Sequence, residues 1–234
     1  MAKEKSLLKR IPGLAFRILI TLALIFILVS AAQVLFVRFF NPSFTVSVAG
    51  LWIKNLFASE DRVIPRHNWR ELKDISPSLI KAVMAGEDQR FISHHGFDFV
   101  EMNKAYQDIL KNRRTRGAST ITMQLARTLF LWKGRNPVRK VLEAYYTVLL
   151  EVFLSKTRIM ELYLNTVDWG TGIQGAEAAA LKYYNTGAGN LTDNQAAGLA
   201  AILPNPHDWS PTQPNRSVMT HREHILRYMG DMRL

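Results

Sequence analysis

The sequence predicts a mainly α-helical protein in which one transmembrane helix precedes a single helical domain. Three observations predict it. Ile18 to Val37 is a run of twenty residues without a charge, interrupted only by Thr21, Ser30 and Gln33, long enough to cross a bilayer as a helix. Beyond it, apolar residues recur at helical spacing behind hydroxyl, asparagine and proline start signals. Period-two alternation is nearly absent after the anchor, and no internal repeat is visible. A length of 234 residues with 48% hydrophobic content supports one substantial core. The expected organisation is a basic tail over 1–17, an anchor over 18–40, a connecting region over 41–64 and the main domain over 65–234.

In the tail, Lys3, Lys5, Lys9, Arg10 and Arg17 stand against Glu4, so the positive-inside rule places the N-terminus in the cytoplasm and the rest outside. Ser30-Ala31-Ala32 offers the rival reading of a cleaved export signal. The apolar run continues to Phe40, which favours an anchor, and the basic flank argues against a buried core helix. Much of the formal net charge of +11 lies beyond the tail. A basic surface held against a membrane suits anionic headgroups, diphosphates or acidic polymers, and the topology disfavours nucleic acid. There is no cysteine, hence no disulfide framework and no thiolate metal site.

In the connecting region, Phe44, Val46 and Val48 alternate as in a short strand that ends at Gly50. Leu51, Trp52, Ile53, Leu56 and Phe57 form an apolar cluster suited either to a membrane surface or to a core. Ser76-Pro77 then starts a helix carrying Ile80, Val83 and Met84 on one face. Continued, that face takes in Glu87 and Phe91, within the stretch GEDQRFISHHG from Gly86 to Gly96. A carboxylate inside an apolar stripe is paired, neutral or useful, and burial raises its pKa toward that of a neutral-pH base. The plain alternative is a surface acid at a frayed helix end. Asp88, about 100° further round the helix, meets different surroundings.

Val100 to Lys111 reads as a short helix, followed by the basic, turn-prone KNRRTRG. Gly117 to Gln124 (GASTITMQ) supplies a glycine turn and two hydroxyl caps for a helix to about Leu131. Ile121, Leu125 and Leu129 form one of its faces, and Thr120, Gln124 and Arg127 another. Such an N-terminus suits phosphate oxygens, although an ordinary capped amphipathic helix has the same pattern. Asn136-Pro137 caps a helix whose expected buried stripe is Val138, Val141, Leu142, Tyr145, Leu149 and Val152. Arg139, Lys140 and Glu143 fall off that stripe, so a simple intrahelical ion pair of about 0.2–0.5 kcal/mol accounts for the acid. Two cations for one carboxylate leave positive charge which, with Arg135, could hold a diphosphate. Ser155 caps a helix to Asn165 with Ile159, Leu162 and Tyr163 inward. Trp169-Gly170 and Gly172 to Gly175 make a turn. Alanine-rich helices follow over Ala176 to Tyr184 and about Asp193 to Leu203, the second stopped by Pro204-Asn205-Pro206. A last amphipathic helix is expected near Met219 to Met229.

Taken together, four segments resemble the glycosyltransferase domain of bacterial cell-wall synthases, glycosyltransferase family 51, in its monofunctional membrane-anchored form. Glu87-Asp88-Gln89-Arg90-Phe91 with His94-His95-Gly96 matches its E-D-x-x-F motif with the following histidine and glycine. Gly117 to Gln124 matches G-x-S-T-x-T-x-Q, Arg139 to Glu143 matches R-K-x-x-E, and Ile159 to Asn165 matches I-x-E-x-Y-L-N. The resemblance covers roughly residues 65 to 206. It implies a lysozyme-like helical lobe, a smaller membrane-proximal lobe and a cleft between them, at the bacterial cytoplasmic (inner) membrane. The implied activity is processive polymerisation of lipid II into β-1,4-linked glycan, with the growing strand as donor and inversion at its anomeric carbon.

By motif position, Glu87 falls on the catalytic base and Glu143 on the second important acid, which either orients cations or binds a divalent ion, Mg²⁺ or Mn²⁺. Gln124, Arg127, Arg135, Arg139 and Lys140 are the candidates for the leaving diphosphate, with Ser119 and Thr120 as hydroxyl donors and Lys104 toward the acceptor's diphosphate. Asp88 and Phe91 shape the site. Relatives often carry lysine where this chain has Arg127, and glutamine where it has Met123. No organic cofactor is implied. Partners would be lipid II, the nascent strand, the membrane, and other cell-wall synthases or division proteins. His94 and His95 lack zinc-site spacing. No transpeptidase is expected, because Ser6 to Lys9 and Ser78 to Lys81 spell S-x-x-K without a following K-T-G. Two rivals remain: a lysozyme-like glycan cleaver using Glu87 as an acid, and an anchored scaffold binding anionic polymers.

Overall fold

The computed structural model describes residues 2–42, 45, 46, 48, 50, 68–111, 117–132, 134 and 136–233, with side chains from residue 15 onward. Phe44, the cluster Leu51, Trp52, Ile53, Leu56 and Phe57, most of the KNRRTRG loop, and Arg135 lie outside the described residues. The chain divides into two units, residues 1–40 and 41–234.

The first unit is one helix, α1, over Ala2–Phe39. Its segment Ala15–Phe39 has a mean hydropathy of 2.7, enough by length and composition to cross a membrane. Leu19, Leu22, Leu28 and Phe36 stand exposed along it, a surface that an apolar surrounding would satisfy.

In the second unit, Val46, Val48 and Gly50 are helical, so the alternation there does not mark a strand. A 3₁₀ turn over Leu72–Asp74 leads to α2, Pro77–Glu87. Next come α3 (Phe99–Leu110), α4 (Ile121–Phe130), α5 (Pro137–Phe153) and α6 (Lys156–Thr166). A two-stranded antiparallel hairpin, β1 (Asp168–Gly170) and β2 (Ile173–Gln174), occupies the glycine-rich turn. It precedes α7 (Ala176–Tyr184), α8 (Asp193–Ile202) and α9 (Arg216–Tyr228).

Local chemistry sets most of these boundaries. Asn136 Oδ1 accepts from Arg139 N at 2.7 Å and Ser155 Oγ from Arg158 N at 3.2 Å, each satisfying a donor that the helix itself leaves unpaired. Thr192 and Gln195 form a capping box on α8. Ser76 sits at the N-cap of α2, but its hydroxyl donates to Leu191 O at 2.9 Å, tying the helix start to the loop before α8.

Two helical groups carry the core. In one, α2, α8 and α9 pack together, and the fully buried Ala196, Ala197, Ala200 and Ala201 let the backbones approach closely. In the other, α4 is flanked by α5 and α6. Leu125, Leu150, Ile159 and Leu162 are fully buried.

Helix α5 faces the opposite way from the stripe its apolar periodicity predicts. Val138, Val141 and Val152 are 65%, 69% and 67% exposed, whereas Arg139, Glu143, Tyr146, Thr147 and Leu150 are buried. The polar face can turn inward because it brings its own partners. Lys140 and Arg139 neutralise Glu143, Thr147 Oγ1 donates to Glu143 O at 2.7 Å, and Tyr146 stacks on Phe130 at 4.5 Å. Glu143 is therefore part of a buried ion cluster, in place of the weak surface pair expected.

Candidate active site

Glu87 is the last residue of α2, where the helix ends one turn before Phe91. Asp88 leaves the helical region at φ −160°, ψ 78°, and a series of turns carries Phe91 back into the interior, where it is 1% exposed. Glu87 keeps partial contact with solvent. Its Oε2 accepts from Gln124 Nε2 at 2.7 Å, and Gln124 Oε1 in turn accepts from Tyr163 OH at 3.0 Å. Tyr163 thereby fixes which end of the amide faces the carboxylate.

Burial pushes the pKa of Glu87 upward, against the Gln124 hydrogen bond and the positive charges of His221 and Arg127. Tyr163 is pushed well above the ordinary phenol range, first by burial and then by Glu87, and so remains a proton donor.

The neighbouring Asp88 does different work. It is buried, both of its oxygens meet His94 Nε2 at 2.9 and 3.0 Å, and Oδ2 also accepts from Ile121 N at 3.0 Å. A carboxylate at this N-terminus is favourably placed against the helix dipole. Asp98 Oδ1 caps α3 through Val100 N and Glu101 N. The donor atoms of Asp88, His94 and Asp98 lie within 4.8 Å of one another, but Asp88 and His94 are engaged with each other. His95 is exposed, so the adjacent histidines point apart. Phe91 packs edge-on to His94 and lies beneath Lys156 Nζ, 4.5 Å from its ring centre.

Thr120 is buried as the N-cap of α4, accepting from Met123 N at 3.2 Å and donating to Gly96 O at 2.6 Å. Its hydroxyl is thus engaged within the protein. Gly96 has φ +86°, and a Cβ there would lie 2.7 Å from Thr147 Cγ2. Only glycine fits that turn without strain.

A second cluster is centred on Glu143, which is 0% exposed. Lys140 Nζ meets its Oε1 at 2.5 Å and Arg139 a guanidinium nitrogen its Oε2 at 3.5 Å. With a cation on each oxygen, Glu143 fits an orienting role and does not fit a divalent ion, which needs an open carboxylate. Ser119 joins the two clusters: its Oγ accepts from Lys140 Nζ and its backbone oxygen from Gln124 Nε2, both at 3.5 Å. A continuous polar line therefore runs Glu87, Gln124, Ser119, Lys140, Glu143. Arg127, one turn beyond Gln124, adds charge on the Glu87 side. Lys104 instead pairs with Glu101 of its own helix at 2.7 Å.

Tyr163 and His221 act on Glu87 from α6 and α9, yet neither is singled out by the sequence as a site residue. For Tyr163 the signal was present, in the Y-L-N motif and on the inward face of its helix.

A transglycosylase family model matches residues 54–230. The chain belongs to the transglycosylase family. This transglycosylase is 41% identical over 216 residues to a biosynthetic peptidoglycan transglycosylase of Caulobacter vibrioides, covering 92% of this chain and 91% of that one. It is 42% identical over 204 residues to one of Xanthomonas campestris pv. campestris (strain B100), covering 87% and 83%. It is 42% identical over 203 residues to one of Pseudomonas entomophila, covering 87% and 86%. The mainly α fold and enzymatic glycosyl transfer expected from the motifs agree with these likenesses.

Proposed function

We propose that the protein is a peptidoglycan glycosyltransferase that polymerises lipid II into β-1,4-linked strands, with Glu87 as general base. The carrying observation is the polar line from Glu87 through Gln124 and Ser119 to Lys140 and Glu143, which sets a proton acceptor beside a cation cluster. Names of the relatives support the substrate class.

Glu87 takes the proton of the acceptor's 4-hydroxyl while that oxygen attacks the anomeric carbon of the growing strand. The bond from that carbon to the lipid diphosphate breaks, and undecaprenyl diphosphate departs with the bonding pair. One displacement inverts the configuration without a covalent sugar intermediate. Lys140, Arg139 and Arg127 offset the charge developing on the diphosphate. Glu143 fixes the first two, and Arg135 and Lys104 add charge to donor and acceptor sides. Ser119 and Gln124 hold the base and the cations in register.

A Mg²⁺ or Mn²⁺ requirement would belong to the diphosphate and not to Glu143, and EDTA with re-addition of the metal tests it. The apolar helix anchors the enzyme in the cytoplasmic membrane, N-terminus inside and domain outside, where it meets other cell-wall synthases or division proteins. Purified protein with labelled lipid II tests the main reading. Wild type is expected to form glycan strands and Glu87→Gln, checked for unchanged helicity, to form none. Cleavage of isolated strands without polymerisation would replace this reading with a lytic one.

A further inference from the structure

Helix α3 follows the turn that carries Asp88 and His94, yet its apolar residues stay outside the core. Among the described residues no other element packs closely along it, and Ala105 is its one buried residue. Phe99, Tyr106, Ile109 and Leu110 are 72%, 56%, 55% and 59% exposed, and Met102 is exposed with them. At about 100° per residue, these five side chains share an arc of about 100°. Lys104 and Gln107 fall outside that arc and are also exposed, so the helix offers its surroundings one apolar side and one polar side. Single exposed apolar residues are ordinary, but five on one face of one helix mark a surface that meets an apolar partner.

Three features select a lipid leaflet as that partner. Helix α1 is apolar and long enough to cross a membrane, so on the anchoring proposed above a bilayer is always within reach of the domain. Helix α3 has 12 residues. That is about 18 Å of helix, too short to span a hydrocarbon core of about 30 Å and well suited to lie along its boundary. Its C-cap, Lys111, is exposed, and the sequence continues from it as KNRRTRG, with four cations and no acid, which complements anionic headgroups.

We propose that α3 is an interfacial membrane-binding helix: Phe99, Met102, Tyr106, Ile109 and Leu110 enter the boundary between headgroups and acyl chains of an anionic leaflet. This rests on the reading of α1 as the anchor and gives the domain its own contact with the bilayer. The contact bears on the site because α3 is held at its start. Asp98 Oδ1 accepts from Val100 N and Glu101 N, both at 3.0 Å, and Gly96, two residues earlier, lies against Thr147 of α5. A docked α3 therefore sets the turn after Glu87 at the level of the headgroups, where the diphosphate of a lipid-linked sugar resides.

The test reads docking without activity. The chain has no cysteine, so a single introduced thiol takes one fluorescent bimane label. Full-length Tyr106→Cys and Gln107→Cys, checked for unchanged helicity, are labelled and placed in nanodiscs of phosphatidylglycerol and phosphatidylethanolamine, with or without bromine on the acyl chains. Bromination is expected to quench the label on Tyr106→Cys at least about twofold more than that on Gln107→Cys, because an interfacial helix sinks its apolar side about 5–10 Å. Aqueous iodide is expected to quench the two in the reverse order. Ile109→Cys, on the same face, gives the same reading should Tyr106→Cys lose helicity.

Equal iodide quenching at both positions with no effect of bromination would overturn the inference. Protection of Tyr106→Cys from iodide without quenching by bromine would also overturn it, because the face would then be covered by protein, a second copy included. A chain that fails to remain with the discs would instead overturn the anchoring, and this inference with it.

Discussion

Replacing Gln124 by methionine removes one donor from Glu87 while keeping length and volume. The bond is 2.7 Å long, its acceptor is a carboxylate, and its geometry is locked from behind by Tyr163 OH at 3.0 Å. Hydrogen bonds to charged groups contribute about 1.5–3 kcal/mol. If that bond stabilises the ionised base, its loss lowers the population or competence of the carboxylate by a factor of about 10–150, at 1.36 kcal/mol per tenfold. Burial already raises the Glu87 pKa and Gln124 opposes it, so the acid limb of the rate profile must move to higher pH in Gln124→Met. Initial rates of lipid II polymerisation between pH 5 and 9 give both quantities. Tyr163→Phe should produce a smaller loss in the same direction, and the double variant should lose less than the product of the two, since both act through one amide. A Gln124→Met enzyme with an unshifted acid limb and a rate within about threefold of wild type would refute the linkage, because the bond would then contribute under about 0.7 kcal/mol.

Asp88→Ala leaves His94 Nε2 and Ile121 N without their buried partner, at about 1–3 kcal/mol each, and thermal unfolding should register the loss of several degrees. Gly96→Ala forces a Cβ toward Thr147 Cγ2 at a positive φ, so denaturant unfolding should show a loss of about 1–3 kcal/mol. Glu177 and Glu87 should respond to pH in opposite senses. Burial raises the Glu177 pKa, but the Arg70 hydrogen bond, the Ala188 N–H and the Arg70 charge together hold it below the ordinary value. Its stabilisation is therefore present above the unfolded carboxyl pKa and lost as pH falls through the folded one, so Glu177→Gln should cost most near neutrality and nothing in strong acid. The Glu87 pKa lies above its unfolded value, so that stabilisation is present only below the unfolded value and is lost as pH rises. Glu87→Gln should accordingly melt higher than wild type near pH 8 and equally at pH 4, by calorimetry.

Helix existence was legible wherever cap chemistry and periodicity agreed. Asn136, Thr120 and Ser155 each cap the helix expected of them, and Ile121, Leu125 and Leu129 face inward as their spacing requires. Glu87 was legible as an acid in an apolar stripe. The orientation of α5 was not, because periodicity records two faces and cannot say which is turned inward once the polar one neutralises itself through Arg139, Lys140 and Glu143. Nor did spacing disclose that Asp88 reaches Ile121, 33 residues on, or that Thr120 reaches Gly96, 24 back. The packing of α9 over Gly86 was hidden for the same reason, since the tail reads only as an amphipathic helix.

The acid of this enzyme is carried by α2, within the α2, α8, α9 group, while Gln124, Ser119, Lys140 and Glu143 belong to or adjoin the α4, α5, α6 group. On the proposed function, the reacting groups therefore sit where two assemblies of helices meet. A slippage of an ångström or so along that junction leaves every helix intact and still parts the carboxylate from its amide. Mild heating or low denaturant should therefore silence polymerisation before helical ellipticity declines, and substitutions on the remote faces of α8 would be felt as changes in rate.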